Sequence, residues 1–416
     1  MKHILAISWT MPPLLMPRSI QVTRTLNRLA ELDWATTVLC ASPLGLDARI
    51  TIDPSLEKAL GRNYHPVEVA SPQPSLPLRA LERYFFLEHL VWIFKAISQG
   101  KELLKSEKFA AIISFAQPWA SHLVGLRLHR LSGLPWVAHF SDPWVDSPYL
   151  REMPWQRILW RKLENAVIRD ADAVFFVNSQ TADLVMGKYP SPWRQKTFIM
   201  PHGFEAGAVP KMSAAAGPGR RLRLVYTGRF YRDRRTPEAL FHALKMVEDT
   251  RDLADQLEVR LIGPFASTYQ NLAQKMGLGE IVSCRDEVPY SESVAEMAAA
   301  DVLLVIDAPD KGPNLFLPSK LVEYLAFKKP ILGLTPEQGA SADLLRHLGC
   351  PLVSPDDPAG IARALTRLLD LWQAGQLSVP TEFPAAARQY DIRETTRQLA
   401  GVLDDLTVNS FLLAEN

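Results

Sequence analysis

The stretch Pro318–Thr335, PSKLVEYLAFKKPILGLT, reads as a short helix followed by a buried strand. With Ser319 as its N-cap, Lys320 and Glu323 stand three apart and share one helix face. A helix N-terminus offers unpaired N–H groups and the positive end of a dipole, which suits a phosphate. Lys320 adds a full positive charge there, and Glu323, one turn further on, can accept hydrogen bonds from a ribose diol. A capped helix with a solvent-exposed ion pair fits the same spacing.

Three more stretches carry chemistry. In Leu224–Leu240, LVYTGRFYRDRRTPEAL, a strand ends at Thr227–Gly228 and Arg229, Arg232, Arg234 and Arg235 follow. Guanidinium forks at the carboxyl end of a strand, just before a helix, suit a diphosphate. A solvated basic loop, with Asp233 pairing to a neighbour, is the alternative. In Trp136–Tyr149, WVAHFSDPWVDSPY, a strand is followed by His139, Asp142 and Asp146. His139 and Asp142 form a candidate acid/base pair; equally, Asp142 before Pro143 can simply start a turn. No second histidine stands at ligand spacing, so no metal site is expected. In Pro201–Glu205, PHGFE, Gly203 permits a tight turn beside a ligand.

These residues need a scaffold that gathers strand ends. Short apolar runs alternate with amphipathic stretches along most of the chain, the pattern of βαβ units and parallel sheets. HILAISW, ATTVLCA, AAIISFA, PWVAHFS and AVFFVNS are the strand candidates of the first half; LRLVYTG, EVRLIGP, DVLLVID and KPILGLT are those of the second. Helices are expected at Ser19–Leu32 and at Pro237–Val247, the latter with Thr236 as N-cap. A Gly/Ala/Pro-rich stretch without periodicity, Glu205–Arg221, reads as a linker. The expected organisation is an α/β chain of two facing Rossmann-like domains, residues 1–205 and 222–384, joined by a linker at 206–221 and followed by a C-terminal helix and tail at 385–416. In such sheets ligands bind beyond the carboxyl ends of the strands, so facing sheets would share one cleft. The helix is expected over Ala385–Leu406, with the last residues a loose end.

Composition is that of a soluble globular chain: of 416 residues, 47% are apolar and 22% charged, with a net charge of +1. That balance supplies no field for nucleic acid. Three dispersed cysteines, Cys40, Cys284 and Cys350, form no disulfide framework and point to a reducing cytoplasm. Pro12 and Pro13 break the apolar start, so it reads as a first strand rather than a signal peptide. No run reaches the roughly 18 apolar residues of a membrane span. Two aromatic stretches with flanking cations, Arg83–Lys105 and Trp155–Val167, read either as interfacial helices or as core.

Taken together, these segments resemble a bacterial retaining glycosyltransferase of the GT-B fold, glycosyltransferase family 4-like (group 1), from a subgroup that assembles surface polysaccharides. The likeness runs through MPPLLMPRSIQVTRTLNRLAELDWATTVL, HFSDPWVDSPY, LENAVIRDADAVFFVNSQTADLV with FIMPHGFE, YTGRFYRDRRTPEAL and PSKLVEYLAFKKPIL. It implies a nucleotide diphosphate sugar as donor and a sugar or lipid-linked acceptor, with no cofactor or metal, and a cytoplasmic place with peripheral membrane contact. In that family an Arg and a downstream Lys hold the diphosphate. Gly228 and Arg229 match the Gly-Arg strand end, and Arg234 falls where the Lys is expected. Ser319, Lys320 and Glu323 match a Pro-Ser-Lys version of the paired-glutamate motif, with Glu323 on the ribose. The motif's first glutamate, eight positions earlier, is replaced by Leu315. His139 and Asp142 would touch sugar or acceptor. Two rival readings share the architecture: a nucleotide-sugar epimerase using His202, and a non-catalytic nucleotide-sugar-binding protein.

Overall fold

The computed structural model describes residues 1–85, 88–148, 153–207, 209, 220–231, 234–309 and 314–414, with side chains to residue 408. The chain divides into two compact units, residues 1–203 with 392–416, and residues 204–391.

The first unit is built on a seven-stranded parallel sheet of order β3-β2-β1-β4-β5-β6-β7. Its strands are β1 Lys2–Ile7, β2 Trp34–Ala41, β3 His65–Val69, β4 Ala111–Phe115, β5 Trp136–Phe140, β6 Ala173–Phe176 and β7 Thr197–Ile199. Alternation along the strands divides the core between two faces. Leu5, Ile7, Leu39, Ile112 and Phe140 pack on one side. Ile4, Ala6, Val38, Ile113 and Phe175 pack on the other. Helix Pro17–Ala30 lies on the second face and opens with Pro17 at its first position rather than at Ser19. The proline's fixed φ suits that place.

Helix Ile392–Ala414 covers the same face through Leu399, Ala400 and Leu403. Lys2 anchors it by donating to Asp404 at 2.7 Å. The expected helix over Ala385–Leu406 is in fact two: Phe383–Arg388 and Ile392–Ala414, with Asp391 in an isolated bridge to Phe204. The expected loose end is helical to Ala414. Most of the expected linker, 206–221, lies outside the described residues.

The second unit carries a six-stranded parallel sheet of order β10-β9-β8-β11-β12-β13. Its strands are β8 Leu222–Thr227, β9 Leu257–Ile262, β10 Val282–Arg285, β11 Val302–Ile306, β12 Ile331–Leu334 and β13 Leu352–Val353. Helix Glu238–Glu248 follows β8; Pro237, not Thr236, takes the capping position, and no side chain caps it. Register in both sheets brings strand ends to one edge, with Thr227 level with Ile262 and Val302 level with Leu224.

The aromatic stretch Arg83–Lys105 is not one helix. Leu76–Phe85 and Leu90–Ser106 flank His89, whose φ of 65° is left-handed and interrupts the run. Trp92 and Trp160 are core. Helix Leu76–Phe85, by contrast, has no buried residue. Among the described residues no helix is long and apolar enough to cross a membrane.

Candidate functional site

At the carboxyl end of β8 the chain turns at Gly228, with φ 154°. Close approaches explain the glycines at 228 and 263. A Cβ at Gly228 would lie 1.6 Å from Lys320 Nζ, and one at Gly263 would lie 1.9 Å from the Gly228 carbonyl. The Lys320 ammonium donates to Tyr226 Oη at 2.9 Å and sits 4.2 Å from that ring's centroid. Helix Ser319–Tyr324 is held there by Tyr324, whose hydroxyl accepts from Thr227 N and donates to Leu304 O, each at 3.2 Å. Pro318 occupies the N-cap position, so Ser319 is the first helical residue and makes no capping bond.

Arg235 reaches into the same group, 3.4 Å from Asp307 Oδ1. Asp307 is buried and also accepts from Asn314 Nδ2 and Thr335 Oγ1, both at 3.1 Å. Burial first, then the neighbouring Arg235 charge, push the Lys320 ammonium well below its ordinary pKa, against the pull of Asp307. Burial likewise raises the Tyr226 hydroxyl. A half-buried cation on an aromatic hydroxyl, next to a second cation with one shared carboxylate, is electrostatically short of negative charge. It is poised for an anion.

The other expected donor residues flank this group. Glu323 accepts from Tyr290 Oη at 2.5 Å. Lys320 and Glu323 therefore do not form the exposed i,i+3 pair that their spacing allows; each turns to a tyrosine from another element. Arg229 is turned to Glu287, Nε to Oε1 at 2.9 Å, with nearly half of its side chain exposed. Arg234 is half-buried, and its backbone N–H donates to Tyr231 O. Its neighbour Arg235 is the guanidinium whose charge acts on Lys320. Arg232 and Asp233 lie outside the described residues. Leu315 is half-buried beside Asn314.

A second group lies at the carboxyl ends of β4, β5 and β7 in the first unit. His139, near the end of β5, is 3% exposed. Its Nδ1 and carbonyl oxygen both lie within hydrogen-bond distance of Arg18 Nη2, at 2.9 and 3.0 Å. Guanidinium only donates, so Nδ1 accepts and the proton of the neutral ring sits on Nε2. Burial, then Arg18, hold the ring well below its ordinary pKa. His202 is held down to about 3 by the same two causes. The expected His139–Asp142 pair does not form: Arg18 occupies the imidazole, and Asp142 accepts from Ser141 Oγ at 2.9 Å. Burial raises the Asp142 carboxyl. Asp146 belongs to a different network, paired with Lys188, which also reaches the fully buried Glu164 at 2.6 Å. Gly203 is explained by packing, since a Cβ there would meet Ile392 Cα at 2.8 Å.

Sequence reasoning missed Tyr226, Tyr290, Asp307 and Arg18, and gave Arg235 no separate role. Tyr226 and Asp307 hide inside or just beyond apolar strands, where nothing distinguishes them from core. Arg18, beside a proline at a helix start, is one of two arginines in an otherwise largely apolar and small-polar buried stretch.

Residues 19–203 match the Glycosyl transferase 4-like domain, and residues 221–371 match Glycosyl transferases group 1. No curated protein matches the sequence. Among solved structures, the chain is similar to a sucrose-phosphate synthase from Thermosynechococcus elongatus, at 17% identity over 98% of this chain and 100% of that one, with TM-score 0.73. It is similar to WaaG, a glycosyltransferase involved in lipopolysaccharide biosynthesis, at 14% identity over 96% and 99%, with TM-score 0.61. It is also similar to a trehalose-6-phosphate protein from E. coli bound with UDP-2-fluoro glucose, at 13% identity over 98% and 99%, with TM-score 0.63. The fold is thus GT-B, with two Rossmann-like parallel-sheet domains, and the activity is glycosyl transfer. The chain belongs to the group 1 glycosyl transferases, with a glycosyl transferase 4-like domain in its N-terminal half.

Proposed function

We propose that this glycosyltransferase moves a sugar from a nucleotide diphosphate sugar to an acceptor hydroxyl with retention of configuration, in the assembly of a surface polysaccharide or glycolipid. The observation that carries the reading is the Lys320–Tyr226–Arg235 group under the Gly228 turn. Cleavage of the donor builds negative charge on the departing diphosphate and oxocarbenium character on the sugar. Preorganised cations at that place are the largest electrostatic aid available. Lys320 and Arg235 would meet the diphosphate; Arg229, released from Glu287, and Arg234 would add to them; Glu323, now holding Tyr290, would receive the ribose. These cations neutralise the leaving group without a metal, so activity should survive EDTA. His139, with its proton on Nε2, would donate to a hydroxyl of the donor sugar or acceptor, near Asp142.

A peripheral membrane place is supported by helix Leu76–Phe85. Leu76 and Tyr84 are exposed, as are the cations Arg79 and Arg83. Tyr84 stacks on Trp155 at 4.3 Å, which joins this helix to Pro154–Asp170 with its exposed Ile158. An amphipathic helix with no buried residue suits a bilayer interface. Sedimentation with anionic vesicles at low salt tests it, and a protein that stays in the supernatant refutes it.

The central test is a melting-temperature screen of nucleoside diphosphates and their sugars, followed by NMR of the product's anomeric centre. A ligand bound only by the folded form raises the melting temperature. A product of inverted anomeric configuration, or no response to any nucleotide, overturns the proposal.

A further inference from the structure

The first unit carries a positive charge that nothing so far described employs. Arg18 lies in the first turn of helix Pro17–Ala30 and is 8% exposed. It lines an open recess with Gln21, Phe115, His139, His202 and Gly203. Its hydrogen bonds are both from Nη2 to His139. Among the described residues no carboxylate pairs with it, and Nε is buried with no acceptor. Next to it Ser19 is fully buried, and its Oγ also lacks a partner. The first turn of the helix holds no acidic residue and no side-chain cap. Asp142 acts on Arg18 without pairing to it and is itself raised by burial. His139 and His202 are neutral and offer no negative charge.

Burying a guanidinium without a carboxylate is costly, and a bound anion would offset that cost. The guanidinium lines this recess from the first turn of its helix. A guanidinium fork and a helix N-terminus both favour an oxyanion. We propose that Arg18 anchors an oxyanion subsite for the acceptor, so that the molecule receiving the sugar carries a phosphate or carboxylate group. This rests on the transfer reaction proposed above and names the acceptor's chemical class.

The full-length protein tests this with inorganic phosphate, acetate and glucuronate as probes and melting temperature as readout. Lys320→Met is the background, since free phosphate can also occupy the donor group. In that background phosphate should still stabilise the fold, and adding Arg18→Met should weaken its binding by on the order of tenfold or more. Arg18→Lys, which keeps the charge but not the fork, should lose less. A response to phosphate alone assigns a phosphorylated acceptor; one to glucuronate or acetate as well assigns a carboxylate. The inference is overturned if none of the three probes acts, or if Arg18→Met leaves their action unchanged. It is also overturned if Arg18→Met alone abolishes stabilisation by UDP, because the anion would then be the donor's. UDP response in Arg18→Met doubles as the check that the variant is folded. A wild-type protein that ignores UDP but responds to phosphate through Arg18 would instead sink the donor reading and leave the subsite standing.

Discussion

Replacing Lys320 with methionine separates a binding cation from a structural one. The ammonium has a single neutral partner, Tyr226 Oη at 2.9 Å, and its pKa is driven well below the ordinary lysine value by burial and by Arg235. An unfolded lysine keeps its usual affinity for protons. Between the folded and unfolded pKa values the unfolded state therefore binds more protons, so stability rises with pH through that window. Below the folded pKa the cost of holding the charge is present in full. Methionine, of similar length and uncharged, removes that cost. The variant should melt no lower than wild type at neutral pH, and its gain should shrink as pH rises.

Binding runs the other way. A diphosphate re-pairs the ammonium and raises its pKa, so UDP binding takes up a proton. UDP affinity should fall as pH rises from the free-protein pKa toward that of the complex, with at most tenfold per unit. Charge-assisted bonds of this kind are worth about 1.5–3 kcal/mol, so Lys320→Met should weaken UDP by roughly 10- to 150-fold. It should also flatten the pH dependence. Titration calorimetry from pH 7 to 9 in two buffers of different ionisation heat reads affinity and proton uptake together. Equal UDP affinity in the two proteins, or an unaltered pH slope in the variant, would refute the assignment of Lys320 to the diphosphate.

Arg229→Ala removes only an exposed pair with Glu287, so urea unfolding should register less than about 1 kcal/mol, while the UDP-induced rise in melting temperature is largely lost. Gly228→Ala asks an L-residue to adopt φ 154° and displaces the Lys320 ammonium; a cost of about 1–3 kcal/mol and failure of donor binding should be seen by the same two measurements. Gly203→Ala drives a methyl against the Ile392 backbone and should destabilise the first unit by about 1–3 kcal/mol, read as faster hydrogen exchange along helix Ile392–Ala414.

The sheets and the site differ in how legible they are, and for a physical reason. All nine expected strands exist. The four that were not foreseen, β3, β7, β10 and β13, are the two outer strands of each sheet. A central strand of a parallel sheet is buried on both faces and spells a continuous apolar run. An edge strand is short and half wet: β7 is half-buried throughout, and His65 and Glu68 in β3 are exposed. Such a strand leaves no run to read.

The same logic explains the site. Gly228, Lys320 and Glu323 stand out as candidates because their types and spacing are improbable for a core. Tyr226 and Asp307 become candidates only through what the sheet brings beside them, and Arg18 through the strand end that meets its helix. Tyr226 becomes a hydrogen-bond platform only when a helix 94 positions away delivers an ammonium to it. Asp307 becomes the anchor of Arg235 only when β11 lies beside β8 and β12. Spacing predicts partners within one element, since a helix fixes its own i,i+3 neighbours. Lys320 and Glu323 satisfy that geometry and decline it, because a tyrosine on another element gives each of them a better-buried bond. Where a charged pair at helical spacing is found turned outward to two different tyrosines, the pull on each side chain comes from the sheet edge, and that edge is where the ligand must be sought.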